Sequence, residues 1–294
     1  MKTLNEQINE IKNSQVSSNK KQQALIKLGL RDHEINILFA SWSAEERIAR
    51  SEMFRFTFGV EIECNIYRST VEQVFASNGV NYHYEGYNHT DNREYYKFVT
   101  DASVSGLSPI ECVSPVLTGS TNGFKSLEAC CKSLNQGNAY VNKSCGLHVH
   151  IGGNITDKQY CNTFVNYKML EDVIDTFMAF SRRADENTYC RSVKHLSFLE
   201  CHNPSDVQYA CHHSRYFKIN AMSWTRHRTI EFRQHQGTTN YEKISNWVNF
   251  CAKLVGWSKN NRLTNRIESI DDIPFLADTE KAYFKARKAE FDAR

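Results

Sequence analysis

The hydrophobic pattern of this chain changes period near residue 54. Residues 1 to about 52 read as polar helices: Ser18 can cap a stretch running to Leu28, and Gly29 breaks it. Ser43-Ala44-Glu45-Glu46 has the form of a capping box for a further short helix. From Phe54 the pattern turns to strand, with aromatic and branched residues in Arg55-Phe56-Thr57-Phe58-Gly59-Val60-Glu61-Ile62-Glu63. A helix over Thr70 to Ser77 follows, and tyrosines alternating with polar residues predict a hairpin over Asn81 to Val99. The turn Thr100-Asp101-Ala102-Ser103 leads to a short strand, Pro109 to Val113, which Pro115 ends. Phe124 to Leu134 reads as a helix with Gly137 at its exit.

Two helices carry the clearest stripes. Phe164, Tyr167, Leu170, Ile174 and Phe177 recur at steps of three and four within Thr163 to Arg183, and Ile244, Trp247, Val248, Cys251, Leu254 and Val255 do so within Asn240 to Ser258. Thr239 and Glu242 have the spacing of a capping box for the second. Between them, residues 184–214 are polar, are broken by Pro204, and read as a long loop or lid over a site. Strands are predicted at Arg215 to Asn220 and Arg228 to His235, and Asp278 caps a final charged helix expected at the solvated surface. The chain therefore divides into a helical appendage, residues 1–52, a main domain, 53–258, and a helical extension, 259–294.

Three strand segments share a motif: two polar residues around one apolar residue. They are Glu61-Ile62-Glu63, His148-Val149-His150 and Glu231-Phe232-Arg233. Side chains alternate along a strand, so each motif sets two polar groups on one sheet face and an apolar residue in the layer behind. Glycines bracket the histidine pair in Cys145-Gly146-Leu147-His148-Val149-His150-Ile151-Gly152. Several carboxylates on one face repel unless a positive group sits among them, and a divalent cation is the simplest such group. Glu61, Glu63, Glu111 and Glu231 can supply oxygens, with His148 as the nitrogen ligand. Oxygen-rich ligation suits Mg2+, or Mn2+, better than Zn2+. Arg233, beside Glu231, is placed to hold an anion, and Arg182, Arg183, Arg215, Arg226 and Arg228 are further candidates for that task. Metal, arginine and carboxylate together point to phosphoryl chemistry.

Composition narrows the partners. The formal charge is +3, from 36 basic and 33 acidic residues. Nothing in that balance argues for bulk attraction to nucleic acid or anionic lipid. No apolar run reaches membrane-spanning length and the first 21 residues lack the apolar centre of a secretion signal, so a cytoplasmic location is expected. A homo-oligomer is compatible with these features. The 10 cysteines are scattered through apolar patterns and read as reduced core thiols. The rival reading is a zinc site drawn from Cys190, His195, Cys201, His202, Cys211, His212 and His213, though their spacing matches no paired Cys-x-x-Cys framework.

With these residues in place, the chain resembles the amidoligase family, a branch of the glutamine synthetase and glutamate-cysteine ligase superfamily. The likeness runs from about Phe54 to Trp257. It rests on Phe58-Gly59-Val60-Glu61-Ile62-Glu63, on Asp101-Ala102-Ser103 leading to Ile110-Glu111-Cys112-Val113-Ser114-Pro115, on the histidine strand, on Ser181-Arg182-Arg183, and on Thr229-Ile230-Glu231-Phe232-Arg233-Gln234-His235. The resemblance implies an α+β fold: a curved, mainly antiparallel sheet of the glutamine synthetase catalytic type, helices on the convex face, Mg2+ and ATP on the concave one. It implies an ATP-dependent ligase that joins an amino-acid, peptide or protein carboxylate to an amine through an acyl phosphate. Glu61, Glu63, Glu111, His148 and Glu231 would form the metal shell, Arg233 would clamp the phosphoryl group, and His150 would touch substrate or phosphate. Asp101-Ala102-Ser103 departs from the family by placing alanine where glycine is frequent, which puts a tight backbone approach there in question. Two other readings stand beside this one: a zinc hydrolase using the histidine pair, and a non-catalytic ATP-binding protein on the same scaffold.

Overall fold

The computed structural model describes residues 2–14, 18–39, 55–86, 92 and 94–293. The chain divides into two compact units, Met1–Met53 and Phe54–Arg294. The first holds α1 (Leu4–Asn13), α2 (Ser18–Lys27) and α3 (residues 32–39). Thr3 caps α1: its hydroxyl accepts from the Glu6 N–H while the Glu6 carboxylate accepts from the Thr3 N–H. Gly29, with φ of +89°, follows α2 as its sequence predicts. The capping box expected at Ser43 lies outside the described residues.

The second unit opens with β1 (Phe56–Asn65), α4 (Arg68–Ser77), β2 (Tyr82–Tyr84) and β3 (Tyr96–Val99). β4 (Pro109–Val113), β5 (Leu117–Thr118), α5 (Thr121–Gln136), β6 (Gly146–Gly153) and α6 (Asp157–Thr176) follow. The rest is α7 (Pro204–Ala210), β7 (Ile219–Asn220), α8 (Ser223–His227), β8 (Thr229–Gln236), α9 (Tyr241–Trp257) and α10 (Asp278–Asp292). The strands form one open eight-stranded sheet in the order β2-β3-β4-β1-β6-β8-β7, with β5 pairing β1. All pairings are antiparallel except β2 with β3. The fold is α+β, as expected. Among the described residues no helix is long and apolar enough to cross a membrane.

The alternation read in the sequence separates the two sheet faces. Val60, Ile62, Val149, Ile151, Ile230 and Phe232 enter one core with Phe75 of α4, Leu127 of α5, Phe164 of α6 and Trp247 of α9. All six strand residues are fully buried. Burying a branched or aromatic side chain contributes about 1.5–3 kcal/mol, so this layer holds the polar motifs in register.

Several elements differ from expectation. β2 and β3 pair in parallel, Tyr82 with Tyr96 and Tyr84 with Phe98, so residues 81–99 are not a hairpin. Parallel neighbours need a crossover connection, which a tight turn does not supply. α6 begins six residues before the predicted start because the Thr156 hydroxyl caps it by accepting from the Gln159 N–H. For α9 the cap is Asn240, which accepts from the Lys243 N–H, and not Thr239. Residues 184–214 are no open lid: Val193, Leu196, Phe198, Val207 and Cys211 are buried, and Asn203 with Asp206 forms the capping box of α7. Helix α10, despite its charge, buries Phe284 against Phe177 and Phe250.

β8 carries one residue more than β6 where Leu147–Val149 faces Phe232–His235. Alternation alone sends Gln234 to the core side with Ile230 and Phe232, and the bulge turns His235 away from the polar face as well. Gln234 accepts from the Tyr167 hydroxyl, and His235 lies 5.8 Å from the Trp247 ring. Burial, only partly offset by a hydrogen bond to the Gln236 carbonyl, lowers the His235 pKa to about 3. An unfolded histidine titrates near 6.5, so the folded state binds fewer protons between about pH 6.5 and 3 and loses stability as pH falls, by up to about 1.4 kcal/mol per pH unit. Urea unfolding of wild type and His235→Gln across pH 7 to 4 checks this. The variant is expected to show a shallower acid slope, and an unchanged slope would assign the loss to carboxylates.

Candidate functional site

Strand register brings the polar motifs together. Glu63 stands opposite Glu111, Glu61 opposite His148, and His150 opposite Glu231. Their side chains meet on the face opposite α4, α5, α6 and α9. His148 Nδ1 lies 2.8 Å from Glu61 Oε2 and 3.8 Å from Glu231 Oε1, while its Nε2 lies 3.6 Å from Glu63 Oε1. His150 Nε2 is 3.3 Å from Glu61 Oε1 and 4.0 Å from Glu231 Oε2, and its Nδ1 bonds the Thr229 hydroxyl at 2.9 Å. Glu63, Glu111, His148 and Glu231 are buried.

Three overlapping groups place one ligand atom from each member within 4.8 Å of the others: Glu61, Glu111 and His148; Glu61, His150 and Glu231; and Glu63, Asp101 and Glu111. All five residues expected to ligate metal are in this cluster. His150 and Asp101 join it. Asp101 was legible only as a turn residue, and it keeps that part, accepting from the Ser103 N–H at 2.6 Å.

The cluster opens into a cavity of about 1000 Å³. Arg233 lines it, donating from Nη1 to Glu231 Oε1 at 2.5 Å and from Nε to the Tyr189 carbonyl at 3.3 Å. Arg226 and Arg228 also line it and are exposed, as is Arg215. Arg182 and Arg183 do not line it. Arg182 is buried, with Nη2 donating to the Cys145 carbonyl at 2.7 Å, and Arg183 Nε donates to the Met178 carbonyl at 2.9 Å. Among the further polar residues that line the cavity without having stood out in the sequence are Lys97, buried on β3, and Asn220, whose amide donates to Glu231 Oε2. Their signal was only a polar residue within a short strand, which is too common to single out.

Gly146 is a point of close approach. Its N–H donates to Glu63 Oε2, and a Cβ there would lie 3.1 Å from His148 Nε2 and 3.2 Å from both terminal nitrogens of Arg182. Glycine lets the backbone reach the Glu63 carboxylate while an imidazole and a guanidinium pack over it.

The electrostatics fit a cation. Burial and the neighbouring Glu61, Glu63 and Asp101 push Glu111 well above the usual carboxylate range. Burial opposes ionisation of Glu61 too, but the hydrogen bond from His148 and the nearby His150 imidazole hold it well below that range. Glu231 is lowered against its burial by Arg233 and His150, and His150 is raised against its own burial by Glu231 and Glu61. His150 Nε2 is buried without a hydrogen-bond partner among the described residues. Hard carboxylate oxygens with an imidazole nitrogen suit Mg2+ or Mn2+. The zinc alternative in residues 190–213 is not assembled: none of the cation-binding groups among the described residues includes those side chains. Cys190, Cys201 and Cys211 are buried, and desolvation raises each thiol pKa.

A carboxyl raised in the folded state binds protons that the unfolded chain releases, so Glu111 costs stability as pH rises above about 4.3. Glu111→Gln is therefore expected to stabilise the chelator-treated protein at pH 7.5, with the gain vanishing near pH 4. Urea midpoints in EDTA at both pH values check this. A destabilised variant at pH 7.5 would show that the cluster already neutralises Glu111.

Residues 55–255 match the protein family described as "Putative amidoligase enzyme". No curated protein matches the sequence. Among solved structures, a bifunctional glutathione synthetase from Pasteurella multocida is similar at 10% identity and a TM-score of 0.39, over 81% of this chain and 40% of that one. The chain thus spans less than half the length of that structure.

Proposed function

This chain belongs to the amidoligase family, and on that premise we propose that it is an ATP-dependent carboxylate-amine ligase. The observation that carries the reading is the convergence of Glu61, Glu63, Glu111, His148 and Glu231 with Arg233 in one cavity inside the family-matched segment. A carboxylate resists attack by an amine because its oxygen is a poor leaving group. Transfer of the ATP γ-phosphoryl group to that oxygen gives an acyl phosphate, from which the amine displaces phosphate and forms the amide.

The residues divide this work. Glu61, Glu63, Glu111, His148 and Glu231 would hold Mg2+, and Asp101 is added to that set by its place beside Glu63 and Glu111. When bound, Mg2+ neutralises the carboxylates and draws charge from the phosphate oxygens. Arg233, fixed by Glu231 and the Tyr189 carbonyl, faces the cavity as the clamp on the transferred phosphoryl group. His150 would contact the phosphoryl group or the substrate through Nε2, with Thr229 setting the ring through Nδ1. Arg226 and Arg228, exposed on the cavity wall, are suited to nucleotide phosphates. Substrates on this reading are an amino-acid, peptide or protein carboxylate and an amine.

ADP and phosphate release should require Mg2+, a carboxylate donor and an amine together. Glu231→Gln and His148→Ala are expected to lower that turnover by roughly 100-fold or more, and Arg233→Lys by roughly 100- to 1000-fold. Coupled ADP assays over a matrix of donors and amines provide the measurement. Turnover that survives both Glu231→Gln and His148→Ala would overturn the site assignment. Thermal stabilisation by ATP without product across the matrix would identify a binding protein, and stoichiometric zinc without such stabilisation a hydrolase.

A further inference from the structure

A buried ionic hub lies behind Arg233, outside the cavity. Lys218 is fully buried, and its Nζ donates to Glu171 Oε1 at 2.8 Å and to Asp175 Oδ1 at 2.6 Å, both on α6. Taking three ionised groups out of water is expensive, and an apolar replacement of equal volume often packs as well or better. The hub therefore asks for an account of what its geometry holds.

Its remaining bonds lead to the 184–193 segment and to β8 beside Arg233. Glu171 Oε2 accepts from the Val193 N–H at 2.9 Å, and Asp175 Oδ2 accepts from the Ala184 N–H at 2.9 Å. These two acids thereby pin both ends of the 184–193 segment, including Ala184 at φ +41°. The Lys218 N–H donates to the Arg191 carbonyl, and the Lys218 carbonyl accepts from the Arg233 N–H at 2.8 Å. Asp175 also accepts from the Gln234 amide, at the β8 bulge next to Arg233. The pinned segment delivers one group to the site: the Tyr189 carbonyl, which accepts from Arg233 Nε.

We propose that Lys218, with Glu171 and Asp175, is a positioning unit for Arg233: it fixes the 184–193 segment and the β8 bulge so that the Arg233 guanidinium is held between Glu231 and the Tyr189 carbonyl. The segment read from sequence as a lid is on this account a brace. The consequence for catalysis rests on the ligase reading, whereas the positioning itself does not.

A double-mutant cycle tests it. Lys218→Met with Glu171→Gln removes one charge of each sign, so the net charge of the hub is kept. Binding of a non-hydrolysable ATP analogue with Mg2+ is measured by calorimetry, in the Arg233 and the Arg233→Met backgrounds. The hub substitution is expected to weaken binding roughly tenfold when Arg233 is present and less than twofold when it is absent, because its effect passes through that side chain. Equal losses in both backgrounds, or no loss in the first, overturn the proposal. Should the pair fail to fold, Glu171→Gln alone is expected to give a smaller loss with the same dependence on Arg233. If the wild type binds no nucleotide, the ligase reading fails and the positioning is judged by hydrogen exchange. The Arg233 Nε–H and the Val193 amide should be protected in the wild type and released in the hub variant, and unchanged protection in the variant would refute it.

Discussion

Like charge on one sheet face is the constraint around which the second unit is arranged. Glu61, Glu63, Glu111 and Glu231 meet with two imidazoles, and three of these carboxylates are buried. Two imidazoles and one guanidinium do not satisfy them all. Glu111 takes the remainder, its pKa raised by burial and by its acidic neighbours. Such a cluster persists only where the surrounding fold enforces it, and enforcement comes from the opposite face. There Val60, Ile62, Val149 and Phe232 pack into the helical layer, and any slip by one residue would exchange the faces.

The same division of labour appears at the sheet edge. β7 is two residues long, yet Asn220 on it bonds Glu231 and its neighbour Lys218 ties α6 to β8. This short edge strand sends Ile219 into the core and is held in addition by buried ion pairs and backbone hydrogen bonds. Polar interactions of this kind fix geometry more than they add stability, since desolvation offsets most of their Coulombic gain. That trade suits an element whose task is to place Arg233.

Much of the architecture was legible because it follows from local pattern. Period-two alternation marked β1, β4, β6 and β8, and the 3.6-residue stripes marked α6 and α9. The family-specific motifs fell on the strands that build the cavity. Errors arose where distant groups decide. The parallel pairing of β2 with β3 depends on how the chain returns, not on the tyrosine pattern of either strand. Residues 184–214 looked like a polar lid because their acids and amides are polar, but their partners are on α6, on residues 216–225 and on Arg262. Arg182 and Arg183 looked like anion ligands, and the guanidinium of each is instead taken up by a backbone carbonyl.

By itself the sequence determined which side chains share a face: alternation around Ile62, Val149 and Phe232 commits their neighbours to the side opposite the core. It thereby named Glu61, Glu63, His148, His150, Glu231 and Arg233 as one set. Tertiary structure decided which member meets which, because strand order and register set β1 between β4 and β6 and carried Glu111 to Glu63. It alone brought in Lys97 and Asn220, set Asp101 beside Glu63 and Glu111, and placed a bulge after Arg233 that turns His235 into the core. The physical reason is range. Alternation is a property of neighbouring residues, whereas ligand geometry and buried ion pairs depend on groups tens of residues apart that meet only when the sheet is complete.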